Sequence, residues 1–216
     1  MSSFAEVVIP PSGSVPLLAK QQPVCEKTPP FDEFHAFTRA VVDVSEFRTF
    51  LSSVGTEVWD DETQEGNVRL VRPAHDAWGV KKIIFTFCDD FLQKVFDLPW
   101  SREERWLRHL RPIYDAVGIK EDRVVRCLLA SMPPGMTIPV HHDTGYWVKK
   151  THRLHVALES GNEVDFMVGP TVDSMKKVKP SWPLSIEVCS CYIHYYSVLF
   201  SYFVLSLYFL LFFLLS

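Results

Sequence analysis

The Lys and Arg residues of this chain are confined to one side of a single position. Every Lys and Arg lies at or before Lys179, and among the acids only Glu187 comes after it. The last twenty residues, Ser197 to Ser216, hold only Leu, Phe, Ser, Tyr and Val. As a helix rising about 1.5 Å per residue they reach roughly 30 Å, the thickness of a bilayer core. Two readings account for such a tail. In one it is a C-terminal transmembrane helix: Lys176, Lys177 and Lys179 precede it, as expected for a cytoplasm-facing domain, and Trp182, Tyr192, Tyr195 and Tyr196 form an interfacial belt. In the other it is read-through, because its residues are those of uracil-rich codons and Gly, Ala and Ile are all missing after Ile193. Composition favours the second.

The tail divides the chain into three parts: a Pro-rich flexible arm (1–30), a globular domain (31–178) and the hydrophobic segment (179–216). The arm holds six prolines and few apolar residues to offset ordering entropy. The whole chain has 216 residues, enough for one domain of ordinary size with a real core. A net charge of −4 with no basic block excludes a general nucleic-acid binder, which needs a positive face. Five cysteines without a CxxC argue against a disulfide framework and for a reducing compartment.

Local patterns predict the elements. Val41–Val44 reads as a strand, followed by a short helix with Ser45 as N-cap and Gly55 near its end. Ser101 and Glu104 have the spacing of a capping box, opening a helix that Pro112 bends or stops. Val124–Met132 is almost wholly apolar, as in a strand buried on both faces, and Pro133-Pro134-Gly135 then makes a turn. Arg153–Leu158 and Val164–Val168 alternate around Ser160-Gly161-Asn162, which reads as an antiparallel hairpin. A helical first half followed by meandering strands points to an α+β or mainly β, barrel-like fold.

The chemistry concentrates in Ile138-Pro-Val-His-His-Asp-Thr-Gly145. On an extended backbone His141 and Asp143 face the same way and His142 faces away. An imidazole and a carboxylate on one face are two-thirds of the facial triad that holds non-haem Fe(II). Arg153 and His155 share a strand face further on. A buried Arg there clamps a carboxylate, or pairs with an acid such as Glu163 or Asp165 across the hairpin.

Three blocks carry a family resemblance: Leu128–Gly145, Thr151–Leu158 and Val164–Gly169. In order and spacing they resemble the aspartyl/asparaginyl β-hydroxylase-like branch of the 2-oxoglutarate/Fe(II) dioxygenases, over roughly residues 70–178. The resemblance implies a double-stranded β-helix (jelly-roll, cupin-like) core behind N-terminal helices. It implies His141 and Asp143 as iron ligands, and Arg153 and His155 in the pocket of the co-substrate 2-oxoglutarate. The implied reaction is hydroxylation of a peptidyl Asp, Asn or Pro, or of a small molecule, coupled to oxidative decarboxylation of 2-oxoglutarate.

The match ends near Val178. The family pattern continues with a distal iron-binding His and, about ten residues later, an Arg for the far carboxylate of 2-oxoglutarate. No Arg follows Lys179, and the one His after His155 is His194, a third ligand or a histidine at a membrane edge. The expectation is therefore a jelly roll incomplete at its C-terminus and an impaired dioxygenase. Two rivals remain. One is a membrane-tethered, non-catalytic jelly-roll interaction module. The other is a cupin-like metal protein using His141, Asp143 and His155.

Overall fold

The computed structural model describes residues 19–21, 36–55, 57–59, 64, 66–67, 70, 73–142, 145–159, 164–169, 176–178, 185–189, 193–198 and 202–209. Its strands are β1 (Ala19–Gln21), β2 (Ala36–Val41), β3 (Lys81–Cys88), β4 (Lys94–Asp97), β5 (Val124–Met132), β6 (Thr137–His142), β7 (His152–Glu159), β8 (Val164–Gly169), β9 (Lys176–Val178), β10 (Ser185–Cys189), β11 (Ile193–Val198) and β12 (Tyr202–Phe209). The helices are α1 (Ser45–Ser53), α2 (Pro73–Ala77) and α3 (Glu104–Val117).

Two antiparallel sheets result. The larger runs β1-β4-β3-β5-β12-β7-β10-β2 and the smaller β6-β11-β8-β9. From β5 onward the pairing is nested: β8 with β9, β7 with β10, β6 with β11 and β5 with β12. The second half of the chain is thus one long hairpin centred between β8 and β9, whose successive pairs fall on alternate sheets.

The reason for the two-sheet arrangement is visible in β5. Every residue of it but Ser131 is buried, so the strand needs cover on both faces. Cys127 and Leu129, with Leu154, Val156 and Leu158 of β7, join Phe47, Trp106, Leu110, Ile113 and Tyr114 from α1 and α3 in one core cluster. The Tyr114 hydroxyl donates to Cys127 Sγ at 3.7 Å across that interface. The intervening positions, Arg126, Leu128, Arg153 and His155, are buried on the opposite face.

Several local expectations change. The strand before α1 is β2, Ala36–Val41, ending where the predicted one starts. Ser45 is the first helical residue of α1 rather than its N-cap, and Asp43 Oδ1 accepts the Ser45 N–H at 2.8 Å. No capping box forms at Ser101, which sits in a 3-10 turn (Pro99–Arg102); α3 starts after Glu103. Pro112 does not stop α3, because Ile113, Tyr114 and Val117 beyond it still bury their side chains; the helix ends at Gly118, whose φ of 70° suits a residue without Cβ. The turn at Pro133–Gly135 forms as expected, with Met136 N–H donating to Pro133 O.

The largest corrections concern the C-terminal half. β7 and β8 do not form a hairpin with each other: β7 pairs with β10 and β12, β8 with β9 and β11. Alternation identifies both strands but says nothing about their partners. The tail is not a helix where it is described, since β12 lies between β5 and β7. Among the described residues no helix is long and apolar enough to cross a membrane. A central strand covered on both faces has the same unbroken apolar run as a membrane span, so hydropathy alone could not separate them. β10, β11 and β12 give β7, β6 and β5 partners, so the expected incompleteness at the C-terminus does not leave β5 and β7 as open edges; β6 is an edge of the small sheet. The arm, apart from β1 on β4, lies outside the described residues.

Candidate functional site

His141 closes β6 on the small sheet. Its Nδ1 stands 2.8 Å from the Pro139 carbonyl oxygen, and its ring centroid is 4.8 Å from that of Trp78. With Nδ1–H donating to the carbonyl, Nε2 carries the lone pair, the arrangement of a metal-binding imidazole oriented from behind. Asp143, two residues on, lies outside the described residues. Among the described residues no group of three or more His, Cys, Asp or Glu gathers as a metal site.

His194 is on β11, and the register pairs it directly with His141 on one side and Val168 on the other. Directly paired positions of antiparallel strands have Cβ atoms roughly 4.5–5.5 Å apart. The residue types, two histidines at paired positions and an acid two residues after the first in sequence, are those that a 2-His-1-carboxylate centre uses. Of these, the described side chain, His141, has the tautomer that an iron ligand needs.

The large sheet contributes cations. Arg153 and His155 of β7 are both buried, on the face opposite the helical core. Burial, with the Arg153 guanidinium adding to it, holds the His155 pKa well below the usual histidine value, so its imidazole is neutral. His155 and His141 belong to different sheets. In register, Arg153 pairs with Tyr208 of β12 and Cys189 of β10, and His155 with Ser206 and Glu187. The one acid of the tail therefore occupies the β10 position paired with His155. Asp165, offered from the sequence as an ion-pair partner across a hairpin, pairs with Ser197 on the other sheet, and Glu163 lies outside the described residues.

Arg126 was not anticipated. Tyr208 pairs with it as well, so Arg126 and Arg153 flank one position of β12. It is 3% exposed, with Nη2 donating to Cys88 O at 2.9 Å and Nε to Cys88 Sγ at 3.2 Å. Its guanidinium lies 3.7 Å from the Trp147 ring centroid and 4.3 Å from that of Phe87. Asp90 Oδ1 stands 3.7 Å away. The signal was present in the sequence, as the one charge within an otherwise apolar strand. A buried charge is retained only when enclosed by partners of this kind. Trp147 begins the turn after Asp143, and Tyr146 N–H donates to Asp90 O at 2.8 Å, so this cage ties the β6–β7 connection to the β3–β4 turn.

No protein-family model and no curated protein sequence matches the chain. Solved structures do resemble it. A 2OG-Fe(II) oxygenase family oxidoreductase from Burkholderia pseudomallei is 12% identical, with 78% of this chain and 90% of that chain covered and a TM-score of 0.43. A Trichoplax adhaerens prolyl hydroxylase, solved with a hypoxia inducible factor peptide fragment, is 12% identical over 83% and 84%, with a TM-score of 0.47. A Pseudomonas putida prolyl-4-hydroxylase gives 12%, 82% and 91%, and 0.44. These are similarities of chain path at low identity.

Proposed function

We propose that the chain is a 2-oxoglutarate- and Fe(II)-dependent dioxygenase that hydroxylates a peptidyl or small-molecule substrate. The nested pairing of β5 to β12 on two sheets supports reading the fold as a jelly roll, or double-stranded β-helix. One observation supports the reading: the register pairs position 194 with His141, which would let the hydrophobic segment supply the second histidine of a triad begun by His141 and Asp143. In this reading His194, which the sequence offers as a third ligand or a histidine at a membrane edge, is the third iron ligand.

When bound, iron supplies the redox chemistry that couples oxygen to hydroxylation and to decarboxylation of 2-oxoglutarate. The chain's own residues do the rest. Pro139 O fixes the His141 tautomer. Arg153 presents a guanidinium from a dry face, where it binds a carboxylate strongly. His155, held neutral, adds polarity without a second positive charge.

With no Lys or Arg beyond Lys179, no cation on β12 holds the far carboxylate. Arg153 takes that load alone, and the Michaelis constant for 2-oxoglutarate is expected to be high. The same absence favours a second reading, a non-catalytic interaction module that keeps the fold.

Succinate formation from 2-oxoglutarate by the full chain with Fe(II) separates the two. The dioxygenase reading expects Fe(II)-dependent turnover, lost in His141→Ala, Asp143→Ala and His194→Ala, with Arg153→Ala raising the Michaelis constant for 2-oxoglutarate. Absence of turnover at millimolar co-substrate together with absence of metal binding supports the module.

A further inference from the structure

We propose that Trp78 is a positioning residue that holds the imidazole of His141 in its ligating orientation. The inference rests on the reading of His141 as a metal ligand and adds to it a residue from outside the matched motif.

Trp78 follows α2 and is held firmly by its own neighbours. Gly79 takes φ 75°, and its N–H donates to Asp76 O at 3.0 Å, while Val80 N–H donates to His75 O at 3.0 Å. The Lys82 ammonium, on β3, ion-pairs with Asp76. This turn is thereby fastened to the start of β3, a strand of the large sheet. His75 stacks on the Trp78 ring at 5.7 Å with 26° between planes. The Trp78 ring in turn lies 4.8 Å from the His141 ring, inclined by 43°. His141 is on the small sheet, so Trp78 is a contact between an element anchored to one sheet and a ligand carried by the other.

Such a contact has a physical task. The outer torsion of histidine is broad, so the side chain does not fix its own ring plane. The bond from Nδ1 to Pro139 O holds one corner and leaves the ring free to swing about it. An aromatic ring at van der Waals distance removes that swing. Groups that orient a ligating imidazole in this way commonly change metal affinity by about 10-fold to 100-fold when lost.

The test uses the full chain and Co(II) as an air-stable probe, titrated by calorimetry. Trp78→Leu keeps apolar bulk without the ring plane and is expected to weaken Co(II) binding about 10-fold to 100-fold. Trp78→Phe, which restores a ring, is expected to bind within about threefold of wild type, since only the ring face is required. In a His141→Ala background, Trp78→Leu should have no further effect, which a merely structural role does not predict. Should Trp78→Leu fail to fold, Trp78→Met, a flexible apolar side chain without a ring, carries the same expectations.

Wild-type affinity in Trp78→Leu, with His141→Ala weakened, overturns the role of Trp78 and leaves the metal reading standing. An equal loss in both backgrounds also overturns it, since Trp78 then acts elsewhere. Unchanged binding in His141→Ala, or no binding by the wild type, removes the metal reading and the inference with it.

Discussion

Leu205→Ala tests whether the uncharged segment is a strand of the large sheet. Leu205 pairs with Leu129 of β5 and Val156 of β7. Both partners are 0% exposed and belong to the cluster under α1 and α3. Paired positions of a sheet share a face, so truncation at this position is expected to leave a cavity next to Leu129 and Val156. Leu-to-Ala changes at enclosed core positions cost between about 2 and 5 kcal/mol, and a position bounded on both sides by fully buried strands belongs in the middle of that range, about 3–4 kcal/mol. With a urea dependence of about 2–3 kcal/mol per molar, the unfolding midpoint should fall by roughly 1–2 M. The assay is urea unfolding followed by tryptophan fluorescence and near-ultraviolet circular dichroism. Val140→Ala serves as the reference: at 42% exposure on β6 it should move the midpoint little, by about 0.5 kcal/mol or less. If Leu205→Ala shifts the midpoint no more than Val140→Ala, the segment is not in the sheet and the argument built on its register is refuted.

Three further outcomes are expected. Arg126→Ala removes the donor to Cys88 O and the cation over Trp147, and should cost about 3 kcal/mol in urea unfolding, against under about 1 kcal/mol for Asp90→Asn, whose carboxylate is half exposed; equal effects of the two would contradict the cage. Gly145→Ala should be the more damaging of two glycine changes, because its Cβ would lie 2.6 Å from Trp147 Nε1 at φ 121°, whereas Gly118→Ala meets open space at φ 70° and pays only the left-handed backbone cost of about 1 kcal/mol. Burial, with Arg153 adding to it, depresses the pKa of folded His155, so the unfolded chain takes up the proton first. Stability is then full above about pH 6.5 and declines as pH drops toward the folded value, with a slope of up to about 1.4 kcal/mol per unit from this group. His109 is shifted the same way by burial, so His155→Gln should flatten the slope in part; an unchanged slope would mean that His155 is not buried neutral.

The sequence by itself determined whatever depends on neighbours along the chain. The apolar run Val124–Met132, the turn at Pro133–Gly135, the alternating strand at β7 and the pairing of His141 with an acid two residues on are all written within a few positions, because side-chain period and turn chemistry act over that range. Arg153 and His155 were recognisable as a polar face too expensive to bury idly, and both are buried. Only the tertiary structure decided what each strand pairs with. The supposed hairpin partners went to separate sheets, the supposed anchor became the strand between β5 and β7, and His194 came to stand opposite His141 across a gap of more than fifty residues. Pairing is a long-range choice made by which faces must be covered, and an apolar segment carries the same hydropathy whether lipid or protein covers it. Two histidines far apart along the chain thus come to paired positions only when the nested hairpin closes.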